Sequence, residues 1–312
     1  MSLLHWIPIE KLNLNLVSRN PNSIQFLEKN MDRICWTSLS CNPNAIHLLE
    51  ENPEKIDWYW LSRNQNAIHL IEKNLDKVIN YVYLSGNPNA IHLLERFPER
   101  ISWTYLSCNP NANHLLEQTL SSPTPEFSGS DTSATPPLLQ NQDKINWGLL
   151  SSNPNAIHLL EKYSDKIIWE NLSLNPNAIP LLEQNLEKIH WYYLSKNPNA
   201  IHLLEKNPDK INWYFLSNNP NAIHLLEKNP DKINWSCLSS NPSAIHLLEK
   251  NQDKIDWYWL SENPSIFEFN QEKSIERTNI IREELMQNVM HPRRIQRMME
   301  LMGDEFDIEM SF

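Results

Sequence analysis

Asn197-Pro-Asn-Ala-Ile-His-Leu-Leu-Glu-Lys-Asn-Pro-Asp-Lys-Ile-Asn-Trp-Tyr-Phe-Leu-Ser-Asn218 is the cleanest copy of a unit that fills almost the whole chain. Boxes that open with the same Asn occur at Asn20, Asn42, Asn64, Asn87, Asn109, Asn153, Asn175, Asn197, Asn219, Asn241 and Asn263. The interval is 22 residues, apart from one extra residue in Val78-Ile79-Asn80-Tyr81 and a doubled gap between Asn109 and Asn153. A fixed period of this length means stacked supersecondary units, each unable to bury its apolar side alone.

The residues of one unit say what it folds into. Asn before Pro reads as a helix start, with Asn capping free N–H groups and Pro at the first helical position. Ala200, Ile201, Leu203 and Leu204 then form one apolar side of a helix of two to three turns. Pro208-Asp209 ends that helix, and Ile211, Trp213 and Leu216 fit a short 3-10 or α segment better than an alternating strand. Helices this short are unstable alone in water, so neighbouring units must hold them. The expected fold is an all-α, elongated solenoid with a helical C-terminal cap. Trp36, Trp58, Trp103, Trp147, Trp169, Trp191, Trp213, Trp235 and Trp257, with Tyr81 in place of one, read as a buried ladder. On that reading Trp213→Ala costs roughly 3–5 kcal/mol.

The divisions follow from where the pattern holds. Residues 1–19 read as an N-terminal cap and half-repeat, in which Glu10-Lys11-Leu12-Asn13-Leu14 aligns on Asp-Lys-Ile-Asn-Trp. Residues 20–118 and 141–270 are repeats. Between them, residues 119–140 form a Ser/Thr/Pro-rich insertion expected to be disordered. Splicing it out joins Gln118 to Asn141 and restores a regular unit. Residues 271–312 read as a helical cap with an acidic tail.

Composition narrows the function. Only four glycines occur in 312 residues, which disfavours Gly-rich phosphate loops. A formal charge of −11 argues against a nucleic-acid reader, which normally carries a basic face. Cys35, Cys41, Cys108 and Cys237 have no framework or C-x-x-C spacing and read as reduced thiols. No apolar run is long enough to span a membrane, and the start lacks the pattern of a signal peptide. A cytoplasmic, non-secreted monomer without membrane or nucleic-acid partners is expected. His47, His69, His92, His114, His158, His202, His224 and His246 recur on the first helix. Histidines one repeat apart lie too far from each other to share a zinc ion, so no metal site is expected. No catalytic motif stands out from its copies, and neither enzyme activity nor a cofactor is expected.

Packing positions are held by their neighbours, so a binding face should show where the repeats differ. Two such positions lie between Trp and Leu, and a third follows Leu-Ser. The pairs Tyr59-Trp60, Tyr192-Tyr193, Tyr214-Phe215 and Tyr258-Trp259 are the candidate partner-binding residues there, with Arg293 and Arg294 in the tail as a separate candidate. The leading functional expectation is a non-catalytic protein-interaction scaffold, a rod or superhelix on the order of 100 Å long at about 10 Å per repeat, with a long concave binding surface. The alternatives are a substrate adaptor for host degradation machinery acting through the tail, or a structural virion component.

The unit L-S-x-N-P-N-A-I-x-L-L-E-x-N-P-D-K-I-x-W resembles the leucine-rich repeat variant, in which an α-helix alternates with a 3-10 helix in a right-handed superhelix. Here the unit is shorter, and I-x-W stands where that family has V-R. The whole chain looks like the 22-residue repeat proteins of giant DNA viruses, which also carry a W-I-P-like opening and an H-P-R-R tail, here Trp6-Ile7-Pro8 and His291 to Arg294. That resemblance implies a viral protein acting in a host cell through protein partners; it implies no particular activity.

Overall fold

The computed structural model describes residues 2–78, 81–121 and 142–268. Residues 3–267 form one compact unit, and Ser2 and Glu268 are the only described residues of the other. The tail, with Arg293 and Arg294, lies outside the described residues, as does most of the insertion.

The repeats are all-α, as their pattern predicts, but most hold three short helices where two were expected. In the reference copy these are Ile201–Lys206, the 3-10 turn Pro208–Lys210 and Trp213–Leu216. Pro208 opens its own 3-10 turn because its fixed φ and absent N–H suit a first helical position. The Trp helix starts separately, where the side chain of Asn212 accepts a hydrogen bond from the Phe215 N–H.

The box Asn caps a helix only in some repeats: Asn64, Asn241 and Asn263 cap the 3-10 turns Gln65–Ala67, Pro242–Ala244 and Pro264–Ile266, whereas in the reference copy it caps none. The helix begins at Ile201 with Ala200 as its cap residue, and no side chain caps it. Asn197, 1% exposed, instead joins repeats. Its Oδ1 accepts from the Asn199 N–H two residues on. Its Nδ2 donates to the carbonyls of Ser173 and Asn175 in the preceding repeat, at 3.0 and 2.9 Å. Buried carbonyls need partners, and only a primary amide offers one acceptor and two donors in this geometry. Asn199 adds a second rung, donating to the Pro176 carbonyl at 2.9 Å.

The Ser of each Leu-Ser pair makes a third rung. Ser195 donates to the Trp191 carbonyl and accepts from the Asn212 N–H of the next repeat, both at 2.9 Å. Between these polar rows lie the fully buried Leu194, Ala200, Leu204 and Leu216.

The Trp ladder is less buried than its periodicity suggests. Trp103 (6% exposed) and Tyr81 (5%) are core residues; the other Trp rings of the ladder are half-buried. Most of these carry a lysine from the following repeat over one face. Lys232 Nζ lies 4.7 Å from the centre of Trp213, and Lys210 lies 4.6 Å from Trp191. The ladder is therefore a row of lysine–Trp pairs on the flank of the core.

The irregular places are absorbed without losing register. Across the extra residue, Asn87 Nδ2 still donates to the Ser62 and Asn64 carbonyls. Across the insertion, Asn153 Nδ2 reaches the Ser107 and Asn109 carbonyls, and Asn146 N donates to Ser107 Oγ. The repeats on either side of the insertion are thus immediate neighbours. The helix Asn113–Ser121 runs three residues into the segment read as insertion, with Thr119 fully buried.

The expected open rod is also corrected, because the row of repeats closes on itself. Asn20 Nδ2 donates to the Asn263 carbonyl and Asn22 Nδ2 to the Pro264 carbonyl, both at 2.9 Å. Asn13 N donates to Ser261 Oγ at 2.8 Å, and Lys11 Nζ lies 4.6 Å from the centre of the Trp257 ring. The box Asn and Ser bonds are the same as those that join neighbours along the row, as between Asn197 and Asn175 and between Asn212 and Ser195. Residues 3–267 are therefore a toroid. After Pro264–Ile266 the chain runs extended through Phe267–Glu268 and pairs with Ser2–Leu3, where other repeats start an Ile-His helix. The Leu4 N–H donates to the Ile266 carbonyl, and Phe26 packs on Phe267 at 5.9 Å. The opening segment is thus no free cap: it completes the last repeat.

Candidate interaction face

Closure gives the toroid an inner and an outer rim. The Trp helices of adjacent repeats pack against one another, whereas the Ile-His helices stand further apart. In a closed circle the closer-spaced layer is the inner one. On the outer rim, each helical His reaches the Glu of the preceding repeat. His202 Nε2 lies 2.9 Å from Glu183 Oε1, and His224 lies at the same distance from Glu205. Pro180 interrupts this girdle. Among the described residues no group of three or more His, Cys, Asp or Glu is placed to hold a metal ion.

The inner rim carries the positions that vary. The first residue after the Trp is exposed in most repeats, the second is half-buried in most, and the third varying position follows the buried Ser. Tyr59, Tyr192, Tyr214, Tyr258 and Trp259 are between 43% and 53% exposed, and Trp60, Tyr193 and Phe215 are half-buried. The eight aromatic candidates thus lie on one face.

They fall into two arcs. In the first, Tyr59 meets Tyr83 edge-on at 4.8 Å, and Tyr83 stacks on Trp60 at 5.7 Å and meets Tyr105 at 5.6 Å. Arg63 lies over both Tyr83 and Trp60, at 5.2 and 5.9 Å. In the second arc, Tyr192 meets Phe215 edge-on at 4.4 Å, and Tyr214 meets Phe215 at 5.2 Å. Tyr258 and Trp259 continue it beyond Ser236 and Cys237. Polar residues separate the arcs, with Thr37 and Ser38 in one gap and Glu170 and Asn171 in the other.

Sequence reasoning missed Tyr83. Tyr81 replaces Trp in that repeat, and the extra residue before it blurs the register. Counting from the following Leu84-Ser85 instead of from the preceding box restores it. Tyr105 was visible as a variable position but sits beside Thr104, so it did not read as an aromatic pair.

The thiols on this face are held protonated. Burial pushes the Cys41, Cys108 and Cys237 thiols up, with the nearby positive charges of Arg19 and Arg63 at Cys41 acting the other way. The Tyr59 hydroxyl is raised chiefly by its hydrogen bond with Tyr83, and that of Tyr214 by the Cys237 thiol beside it.

A scan of protein-family models and searches of curated proteins and of solved structures find no match to the chain. Among the described residues no helix is long and apolar enough to cross a membrane.

Proposed function

We propose that the chain is a non-catalytic scaffold that holds a polypeptide, of host or viral origin, against the aromatic inner face of the toroid. The supporting observation is the exposure of Tyr59, Tyr192, Tyr214, Tyr258 and Trp259 while every box Asn and the Leu of each repeat's Leu-Ser pair are buried. Large aromatics left in water cost hydrophobic free energy, and clustered exposed aromatics mark binding surfaces. They are also the positions at which the repeats differ, so stacking does not require them. Position-specific chemistry on a repeated frame is how solenoids recognise partners.

The test is to replace Tyr59, Trp60, Tyr192, Tyr214, Tyr258 and Trp259 together by Ser and compare proteins retained from infected cells. A partner set lost while the melting temperature is kept supports the reading. A partner set that survives moves binding to the outer rim or the tail.

A further inference from the structure

The inner face repeats one arrangement twice, once complete and once with a gap. In the complete version the second position after the Trp register is Trp60, Tyr83 and Tyr105 in three successive repeats. The middle ring stacks on the first at 5.7 Å and meets the third edge-on at 5.6 Å. In the second arc the same positions are Phe215, Cys237 and Trp259. Cys237 stands where Tyr83 stands, and its neighbour Ser236 is also small. The result is a cavity of about 420 Å³. Tyr214 and Phe215 line it from one repeat and Trp259 from another, with Ser236 and Cys237 between them.

The polar groups at the cavity divide into satisfied and unsatisfied. Asn218 Nδ2 donates to Ser240 Oγ at 2.6 Å, and Ser240 Oγ donates to the Cys237 carbonyl at 3.0 Å. Ser236 Oγ donates to Asp256 Oδ2 at 2.8 Å. Glu262 is engaged by Arg19 at 3.9 Å across the seam. Lys196 lines the cavity and makes no ion pair among the described residues. An entering group therefore meets aromatic walls, internally bonded polar atoms, the Lys196 ammonium and, at the seam side, the Glu262 carboxylate paired with Arg19.

We propose that this gap is a binding site for one aromatic side chain of a partner polypeptide, with an acidic residue beside it meeting Lys196. The proposal rests on the interaction-scaffold reading and sharpens it to one pocket. The chain itself shows how a ring is held there, since Tyr83 occupies the equivalent place between two aromatic residues. Edge-on and stacked ring contacts are the favoured aromatic geometries. The volume falls within the range of about 300–1,000 Å³ usual for specific ligand pockets. A nucleic-acid base also has a face to stack, but single-strand binders add a positively charged groove. One free lysine on a chain of charge −11 does not make such a groove.

The experiment pans a displayed library of random peptides against the full chain and measures each selected peptide on Cys237→Tyr, which builds the missing ring in place. Selected peptides should share an aromatic residue next to Asp or Glu. Their affinity should fall at least about tenfold on Cys237→Tyr and on Trp259→Ala, and several-fold on Lys196→Ala, as for central contacts of an interface. An unchanged melting temperature keeps the two pocket variants interpretable together. Peptides without an aromatic, or with full affinity for Cys237→Tyr, overturn the pocket assignment. If those peptides lose affinity on Trp60→Ser, the inner face survives as an interaction surface and only the pocket falls. Failure to select any peptide counts against both. Binding of oligothymidylate that Cys237→Tyr abolishes would overturn the polypeptide as occupant.

Discussion

The Asn of each box is buried because its side chain replaces backbone pairing between neighbouring repeats. Asn197→Asp keeps the shape and the acceptor but removes both donors, leaving the Ser173 and Asn175 carbonyls facing a carboxylate. Losing buried partners costs about 1–3 kcal/mol and burying a charge costs more. Asn197→Asp is therefore expected to lower stability in urea unfolding more than Asn197→Ala. The Trp residues sort by exposure. Trp103→Ala should cost about 3–5 kcal/mol, as for a buried aromatic. Trp213→Ala should cost clearly less, because its ring is only partly buried and Lys232 covers one face of it. Equal losses for the two would contradict the burial difference.

A helix of four to six residues has no stability of its own, so each element exists through its neighbours. Ser217 shows how: its hydroxyl donates to the Trp213 carbonyl and accepts from the Asn234 N–H of the next repeat. Ser217→Ala should cost roughly 1 kcal/mol, read as a shift of the urea midpoint. The outer girdle is different. His202→Ala removes an exposed pair with Glu183 and should change stability by no more than about 1 kcal/mol. At this scale the sequence was legible in its helices and opaque in its polar rungs. Apolar spacing announced Ile201, Leu203 and Leu204. The Asn-Pro pair reads as a helix cap, which Asn64, Asn241 and Asn263 are, but the same side chain also bridges repeats through its Nδ2. That second role needs the preceding repeat's carbonyls, which no single unit contains. Position-to-position variation picked out the exposed aromatics; it passed over Tyr83, where the register slips, and Tyr105, which sits beside Thr104.

The whole molecule depends on a quantity that no residue spells out, the small rotation between successive repeats. Any value other than a whole fraction of a turn, or any net rise, would leave an open superhelix. The two ends carry the clue to closure. Residues 9–19 form the 3-10 turn and Trp-type helix that follow a box, and the box at Asn263 is followed by no such elements among the described residues. Each end is half of one repeat, and together they make the eleventh. Closure also explains why the aromatic face is bounded, since the inner rim brings Glu262 against Arg19 instead of leaving two ends in water.

The most direct test measures the distance between spin labels at positions 15 and 258, in a chain whose native cysteines are replaced by serine. Asn15 and Tyr258 hold equivalent inner-rim positions on either side of the seam. The labels should give the same short separation as a control pair at positions 192 and 214, which belong to adjacent repeats within the row. A separation on the order of 100 Å, the span of the same repeats laid out as a rod, would contradict the closed toroid.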